Sequence, residues 1–263
     1  MSDSLQIFTK NKGLQQIYEY IIFAQIIINS NNNDTMTKKL ILFSFLLPMT
    51  LMAQNLQFLY DLGKDHNYST TTLEMFKPDK WGSSFYFVDF YYDLGPDRHP
   101  SGAYMEVARN LNFWKGPLSA HVEYNGGLGS FPNTSALTGQ AAFPINNAWL
   151  LGIDYGFHNA DFSKTLNLQA MYKHIVGKQE SAQFTAVWGL HFFKRKLSFT
   201  GFADFWFEDN AAKTTSTVFL TQPQLWYNFT ENLSAGSEVE FASNFAETKG
   251  FIVRPKLAVK WNF

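Results

Sequence analysis

Residues 84–93 read SFYFVDFYYD and place aromatic rings and carboxylates at alternating positions. Alternate side chains of an extended strand share one face. The face that bears Asp89 therefore bears three rings as well: Phe85, Phe87 and Tyr91. Such a face can bind a flat heterocycle, because the rings stack on it while the carboxylate accepts hydrogen bonds from its polar edge. Stacking contributes about 1–3 kcal/mol per base in proteins that bind single-stranded nucleic acid.

Residues 197–207, LSFTGFADFWF, repeat this arrangement. Here Phe202 and Trp206 share a face with Asp204. Together with Glu106, the two faces form the predicted solute-binding positions. An alternative stays open, in which the rings only fill a narrow interior or mark the aromatic girdles of a membrane barrel.

Ionisable side chains recur on the polar faces of many other segments. Inside a channel, such charges tune the preference for ions or solutes. The alternative for most of them is pairing between neighbouring strands, which stiffens the wall. The predicted inward set is Glu74, Asp89, Glu106, His121, Glu123, Asp154, Lys173, His191, Asp204, Glu238, Glu240, Arg254, Lys256 and Lys260.

The two histidines of that set, His121 and His191, raise the question of catalysis or metal binding. Neither lies in a serine-containing catalytic motif, and no ligand spacing supports a metal. The sequence therefore predicts no catalytic residue, no metal ligand, no cofactor and no enzyme activity, with both histidines as hydrogen-bonding residues of the wall.

The last thirteen residues, FIVRPKLAVKWNF, indicate the architecture that must position these side chains. Their apolar and cationic residues alternate with a period of two, as in a strand with one apolar face. Such a strand ending on an aromatic residue is typical of the closing strand of an outer-membrane barrel. Phe263 would then be the residue that the barrel assembly machinery recognises. The alternative is an edge strand of a secreted β-sandwich.

Alternation between turn signals predicts an all-β, up-and-down antiparallel transmembrane barrel of about twelve strands. At a tilt near 40°, ten residues rise roughly 25 Å, the height of a barrel's apolar band. The predicted strands are 56–62, 68–77, 83–94, 102–113, 116–125, 148–158, 164–174, 180–192, 196–207, 216–228, 232–242 and 250–263. Short turns on the side of the termini and longer loops opposite, including a long loop over 126–147, fit the same architecture.

The alternation also predicts which face meets lipid. In strand 116–125, Leu118 and Val122 would point outward and His121 and Glu123 inward. Strands 164–174 and 232–242 follow the same scheme, with Lys173, Glu238 and Glu240 inward. A soluble barrel would reverse this, because unpaired charges are too costly to bury in a dry core. The interior is therefore either wet or filled by paired charges.

The front of the chain predicts export. Residues 36–53 have a basic start, an uncharged apolar run and a small residue, Ala53, as in a cleaved signal peptide. That run is too short to span a bilayer as a helix. Residues 1–35 are interpreted as a start-site artefact or disordered leader, the alternative being a cytoplasmic extension. Residues 54–263 then form the barrel.

Composition excludes other classes of protein. The 21 basic and 22 acidic side chains nearly balance, which excludes the broad basic surface of a nucleic-acid-binding protein. The chain has no cysteine, so neither a disulfide framework nor thiol chemistry is available. Aromatic residues make up 17% of the chain, which suits a barrel with two aromatic girdles.

Several short motifs resemble the nucleoside-specific channel-forming outer-membrane proteins (Tsx-like). Residues 72–76, 80–82 (KWG) and 85–89 (FYFVD) resemble the second and third strands of that family, and residues 104–107 (YMEV) its next strand. Residues 197–206 resemble a later strand. The resemblance covers nearly all of 54–263 in order, and it implies a twelve-stranded barrel that passes nucleosides.

These observations predict an outer-membrane channel for passive diffusion of small polar solutes, nucleosides favoured, through a narrow lumen. The chain departs from the resembled family at Ala108 and Arg109, where that family tends to have Glu and Pro. The alternative function is a non-transporting barrel, either a surface receptor, adhesin or structural protein or a barrel-embedded hydrolase. The expected partners are membrane lipid, the assembly machinery and small polar solutes, without nucleic acid.

Overall fold

The computed structural model describes residues 54–63, 68–93, 99–132, 135, 139–209, 215–246 and 248–263. The predictions for residues 1–35 and 36–53 lie outside these residues. No helix of the described part is long and apolar enough to cross a membrane. The strands are β1 (Gln54–Asp61), β2 (Tyr68–Asp79), β3 (Gly82–Asp93), β4 (Pro100–Leu111), β5 (Leu118–Pro132), β6 (Gln140–His158), β7 (Lys164–Ile175), β8 (Ser181–Phe192), β9 (Leu197–Asp209), β10 (Thr215–Thr221), β11 (Gln224–Asn228), β12 (Leu233–Ser243) and β13 (Phe251–Asn262).

Strands β10 and β11 occupy a single position in the sheet. Both pair with β9 on one side and with β12 on the other. Their register is continuous, since Thr221 faces Ala203 and Gln224 faces Thr200. Pro223 interrupts the strand because proline has no N–H to donate to the ladder. The thirteen described strands therefore fill twelve positions in the sheet. The prediction of one strand over 216–228 is confirmed in that β10 and β11 together occupy one of these positions.

The sheet closes on itself between its first and last strands. Strand β1 pairs with β13, which places Leu56 opposite Trp261, and β13 pairs with β12 along its whole length. Every other neighbouring pair is antiparallel and consecutive. The predicted all-β, twelve-stranded, up-and-down antiparallel barrel is confirmed.

The outer face is apolar and the inner face polar. Leu118 and Val122 of β5 are exposed on the outside, whereas His121 and Glu123 between them are buried inside. Strands β7 and β12 alternate in the same sense, as predicted. Because a barrel in lipid needs an apolar outside, this arrangement is that of a transmembrane barrel and the reverse of a soluble one.

The connections differ in length at the two ends. Those at the end where β1 begins and β13 ends have two to six residues, and those at the other end have five to seven. The prediction of a long loop over 126–147 is wrong, because β5 continues to Pro132 and β6 begins at Gln140. The glycine and asparagine residues of this segment suggest turns, yet they pair across the hairpin, with a register shift between Asn125 and Gly127.

Candidate functional site

The predicted aromatic and acidic faces line the inner surface of the barrel, here called the lumen. Cross-strand pairing places Phe87 between Glu74 and Glu106, and Asp89 between Thr72 and Tyr104. Seven of the eight predicted solute-binding side chains are partly exposed, which means that they border space that a water molecule can enter. The seven are Phe85, Phe87, Asp89, Tyr91, Glu106, Phe202 and Asp204.

Rings on β2, β3 and β4 form two aromatic groups inside the lumen. Phe87 lies 6.1 Å from Phe85 and 6.0 Å from Tyr104, measured between ring centroids. Tyr91 makes an edge-on contact with Tyr68 at 5.8 Å. Such spacings are typical of favourable aromatic pairs. The rings therefore hold one another in place while part of their surface stays open.

Each carboxylate in this region has a fixed hydrogen-bond donor. The hydroxyl of Tyr104 donates to Glu106 at 2.8 Å, and the hydroxyl of Thr72 donates to Asp89 at 2.5 Å. On the far side, Thr185 donates to Asp204 at 2.5 Å. A donor that occupies one lone pair orients the carboxylate and leaves others for a solute.

The far wall is open beside Phe202. Its cross-strand partner Val187 points into the lumen and is nevertheless 39% exposed. An inward aliphatic side chain can be this exposed only where the lumen is not packed shut. Phe202 thus faces accessible space in the barrel interior.

Trp206 differs from the other seven because it is only 5% exposed. The ammonium of Lys173 lies 4.0 Å from the centroid of its ring, a cation–π contact. Its indole N–H donates to Glu208 at 2.8 Å, and Phe245 packs edge-on at 6.0 Å. The faces of Trp206 are therefore occupied within the barrel wall.

Charged side chains from several walls face the lumen. Strands β4 and β9 lie five positions apart in a ring of twelve. Glu106 on β4, Glu123 on β5, Lys173 on β7 and Asp204 on β9 all lie on the inner face. Three carboxylates and one amine therefore line this part of the path.

A second charged group lies where the barrel closes. Lys256 donates to Glu238 at 2.7 Å and lies 3.9 Å from Glu240, which also accepts a hydrogen bond of 2.6 Å from Arg254. Gln222 and Gln224 donate to the remaining oxygens of the two glutamates. Pairing between strands, the alternative kept open for the inward charges, holds for this group.

The two histidines bond to the wall. His121 is buried between Asn110, at 2.7 Å, and Glu123, at 3.0 Å. His191 lies 2.9 Å from Ser198, a contact that no sequence motif suggests. The amide of Asn228 donates to Ser198 rather than to the imidazole. A catalytic triad needs the third residue to orient the histidine, and this bond does not supply that.

Sequence reasoning misses some residues of the lumen. Tyr104 lies two positions before Glu106, so alternation places it on the same inward face, although only the glutamate is predicted as a site residue. Thr72 and Thr185 are uncharged, and their role depends on cross-strand register. Phe131 and Phe143 lie in the segment predicted as a loop.

The inward charges are unequal in sign. Of the fourteen predicted inward ionisable residues, all of which the structure places on the inner face, eight are carboxylates and four are lysine or arginine. The path through the barrel is acidic.

A family model described as DUF5020, a domain of unknown function, matches residues 53–263. The chain belongs to this family. No curated protein sequence matches it. The family that matches is DUF5020 and not the nucleoside-specific channels. A relation of this protein to those channels therefore stays a prediction.

Several solved structures of membrane barrels are similar to the DUF5020 barrel. The NanC porin is similar with a TM-score of 0.50 and 9% identity, over 80% of this chain and 99% of that one. The KdgM porin has a TM-score of 0.44 and 13% identity, over 80% of this chain and 99% of that one. The outer-membrane protein Omp33 of Acinetobacter baumannii gives 0.42 and 12%, over 81% and 98%. The likeness to the NanC porin is one of fold alone, since only 9% of the residues are identical.

Proposed function

We propose that this DUF5020 protein is a channel for passive diffusion of small polar solutes, with nucleosides favoured. The observation that carries the proposal is the partly exposed aromatic surface of Phe85, Phe87 and Tyr91, which lies beside Asp89 and Glu106 in a lumen with accessible space. A nucleobase offers a flat face to the rings and polar edges to the carboxylates. The similarity in fold to the NanC porin supports the part of the proposal that concerns a channel, and not the preference for nucleosides.

The charge of the lumen narrows the solute class. Eight carboxylates against four lysine or arginine residues disfavour anions, because like charges repel strongly in a narrow space of low dielectric. Neutral nucleosides should therefore pass more readily than nucleotides, whose phosphate is anionic. The same charge should make the channel prefer cations over anions.

Single-channel recording in planar bilayers tests the proposal most directly. We expect ion conductance with cation preference, transient block by nucleosides, and much weaker block by the matching monophosphates. Entry of nucleosides into liposomes should be faster with the protein than without it. If the wild-type protein neither conducts nor accelerates nucleoside entry, the channel function is lost and a receptor, adhesin or structural role replaces it.

Variants separate stacking from charge. Phe87→Ala should weaken nucleoside block by roughly five-fold or more, since one stacking contact contributes at least about 1 kcal/mol, while ion conductance stays near the wild-type value. Asp89→Asn should instead reduce cation preference, and the difference should shrink in high salt, which screens charges over about 3 Å at 1 M. The outward Val88→Ala is the matched control for both and should change neither property.

Trp206 has a different expected role. Because Lys173 covers its ring, Trp206→Ala should act by releasing that ammonium into the lumen, and so change ion preference together with nucleoside block. Equal and selective loss of nucleoside block in Phe87→Ala and Trp206→Ala would instead assign stacking to both rings.

We also propose that the barrel resides in the outer membrane of a Gram-negative cell after cleavage of residues 36–53. The apolar outer face supports lipid contact, and Gln54 begins the first strand. Amino-terminal sequencing of protein extracted from the outer-membrane fraction should find Gln54. Membrane protein that retains residues 1–35 would contradict both the start at Met36 and the cleavage.

A further inference from the structure

The hairpin of β5 and β6 rises above one side of the barrel mouth. Strand β6 first pairs with β7 at Ala148, eight residues after β6 begins at Gln140. At about 3.3 Å per residue, the hairpin extends roughly 25 Å along the strand beyond that pair. The mouth at this end is therefore bounded by a tall wall on the β4–β6 side and a low one at β7.

The tall wall presents two phenyl rings toward the lumen. The register of β4 with β5 is continuous from Glu106–Asn125 to Gly102–Gly129, so Gly129 faces the same side as Glu106. Phe143 pairs with Gly129, and Phe131 lies diagonally next to it on the same face. The two ring centroids are 6.2 Å apart, and the rings are 47% and 46% exposed.

Two glycines separate these rings from the aromatic surface of the lumen. Tyr91 pairs with Gly102, Gly102 with Gly129, and Gly129 with Phe143, all facing inward. A Cβ on Gly129 would come within 2.4 Å of the Phe143 ring, and a Cβ on Gly102 within 3.4 Å of Tyr91. Each ring therefore leans over one glycine, in the space that a side chain at that glycine would fill.

We propose that Phe131, Phe143 and Tyr91 form a capture site for the flat ring of an uncharged heterocyclic solute, a nucleoside base, at the outer mouth. This inference rests on the proposed function. The site is continuous with the lumen surface, because the hydroxyl of Tyr91 lies 3.5 Å from Asp89, and the rings of Phe87 and Phe85 follow further along β3.

The placement of the rings indicates a small solute rather than a protein. Phe131 and Phe143 lie on the lumen side of the hairpin, whereas its outward side carries Leu128, which pairs with Ala103 and is also exposed. A macromolecule docking on the hairpin would meet the outward side or the tip. Only a molecule that enters the mouth reaches the rings.

The site makes a directional prediction for single-channel recording with adenosine as the probe. Adenosine added on the side of the β5–β6 hairpin should meet the site before the lumen, whereas adenosine added on the opposite side, where Phe263 lies, should not. Phe131→Ala and Phe143→Ala should lower the association rate of block several-fold from the hairpin side only, with the ion conductance unchanged. Leu128→Ala, on the outward side of the same hairpin, is the matched control.

Gly129→Ala tests the geometry without removing a ring, since the added methyl group must displace Phe143. Its association rate should fall in the same direction as that of Phe143→Ala. Wild-type rates in all variants, or equal losses in Leu128→Ala, would overturn the capture site while wild-type block and uptake still supported the channel. Absence of block and uptake in the wild type would overturn the channel, and the capture site with it.

Discussion

At the scale of single residues, the buried amine of Lys256 holds two glutamates together. Its Nζ donates to Glu238 at 2.7 Å and lies 3.9 Å from Glu240. Lys256→Met leaves Glu238 buried without a cation, which typically costs about 3–5 kcal/mol. We expect a correspondingly lower free energy of unfolding in urea titrations of the barrel in detergent micelles or lipid vesicles.

Two further variants check this interpretation. Glu238→Gln combined with Lys256→Met removes both charges of the pair, so it should be more stable than Lys256→Met alone. Lys249→Met, at an exposed lysine in the loop after β12, should leave stability nearly unchanged. A double variant as unstable as the single one would show that the buried carboxylate is not the cause.

The sequence predicts which way individual side chains of the site face, but not what they contact. Alternation alone places Asp89, Asp204 and Trp206 inward, because the period of a strand is two. The cover of Lys173 over Trp206 joins β7 to β9 across β8, so it depends on the register of three strands. Register depends on how whole strands pair with one another, and a short sequence motif does not contain that information.

At the scale of elements, Gly201 allows the backbone at Gln222 and Pro223, where the neighbouring strand is interrupted, to approach β9 closely. It has a φ of 154°, and a Cβ there would lie 2.8 Å from the carbonyl oxygen of Gln222 and 2.9 Å from the Cα of Pro223. Both neighbours are backbone atoms and cannot move aside cheaply. Gly201→Ala should therefore lower the free energy of unfolding by about 1 kcal/mol or more. The unfolding temperature and the yield of folded barrel should fall with it.

Gly156→Ala is the matched control for this prediction. It also lies within a strand, β6, but the nearest atom to its Cβ would be the side-chain nitrogen of Asn167, at 3.5 Å. That is ordinary van der Waals contact, so the substitution should be tolerated. Equal destabilisation by both substitutions, measured by gel mobility of heated and unheated samples, would mean that any alanine disturbs these strands.

Glycine also explains the one element that the sequence misplaces. Gly126, Gly127 and Gly129 indicate a loop when read as turn residues. In the hairpin they serve close approach instead, because a Cβ on Gly127 would meet the carbonyl oxygen of Ala103 at 2.2 Å. Composition alone does not distinguish a glycine in a turn from a glycine that allows close approach within a strand. Segments in which charged and aliphatic residues alternate can be interpreted only as strands.

At the scale of the whole molecule, closure of the barrel depends on β13. Its outward apolar and inward cationic residues are the clearest alternation in the chain, so the sequence predicts both its bounds and its facing. Pairing with β1 and β12 then closes the sheet of the described strands, and lipid does not tolerate a sheet with an open edge. The final residue adds a backbone bond, from the amide of Phe263 to the carbonyl oxygen of Gln54 at 3.1 Å.

The ring of Phe263 contributes little packing within the barrel, since the residue is 53% exposed. Phe263→Ala keeps the backbone bond to Gln54 and removes only the ring. If the assembly machinery recognises that ring, the variant should insert more slowly and yield less folded barrel in cells, while barrel that has folded unfolds in urea near the wild-type midpoint. Phe251→Ala is the matched control, because it removes an exposed outward ring at the opposite end of β13. Equal assembly defects in both variants would assign the effect to lost aromatic surface rather than to recognition of the terminal residue.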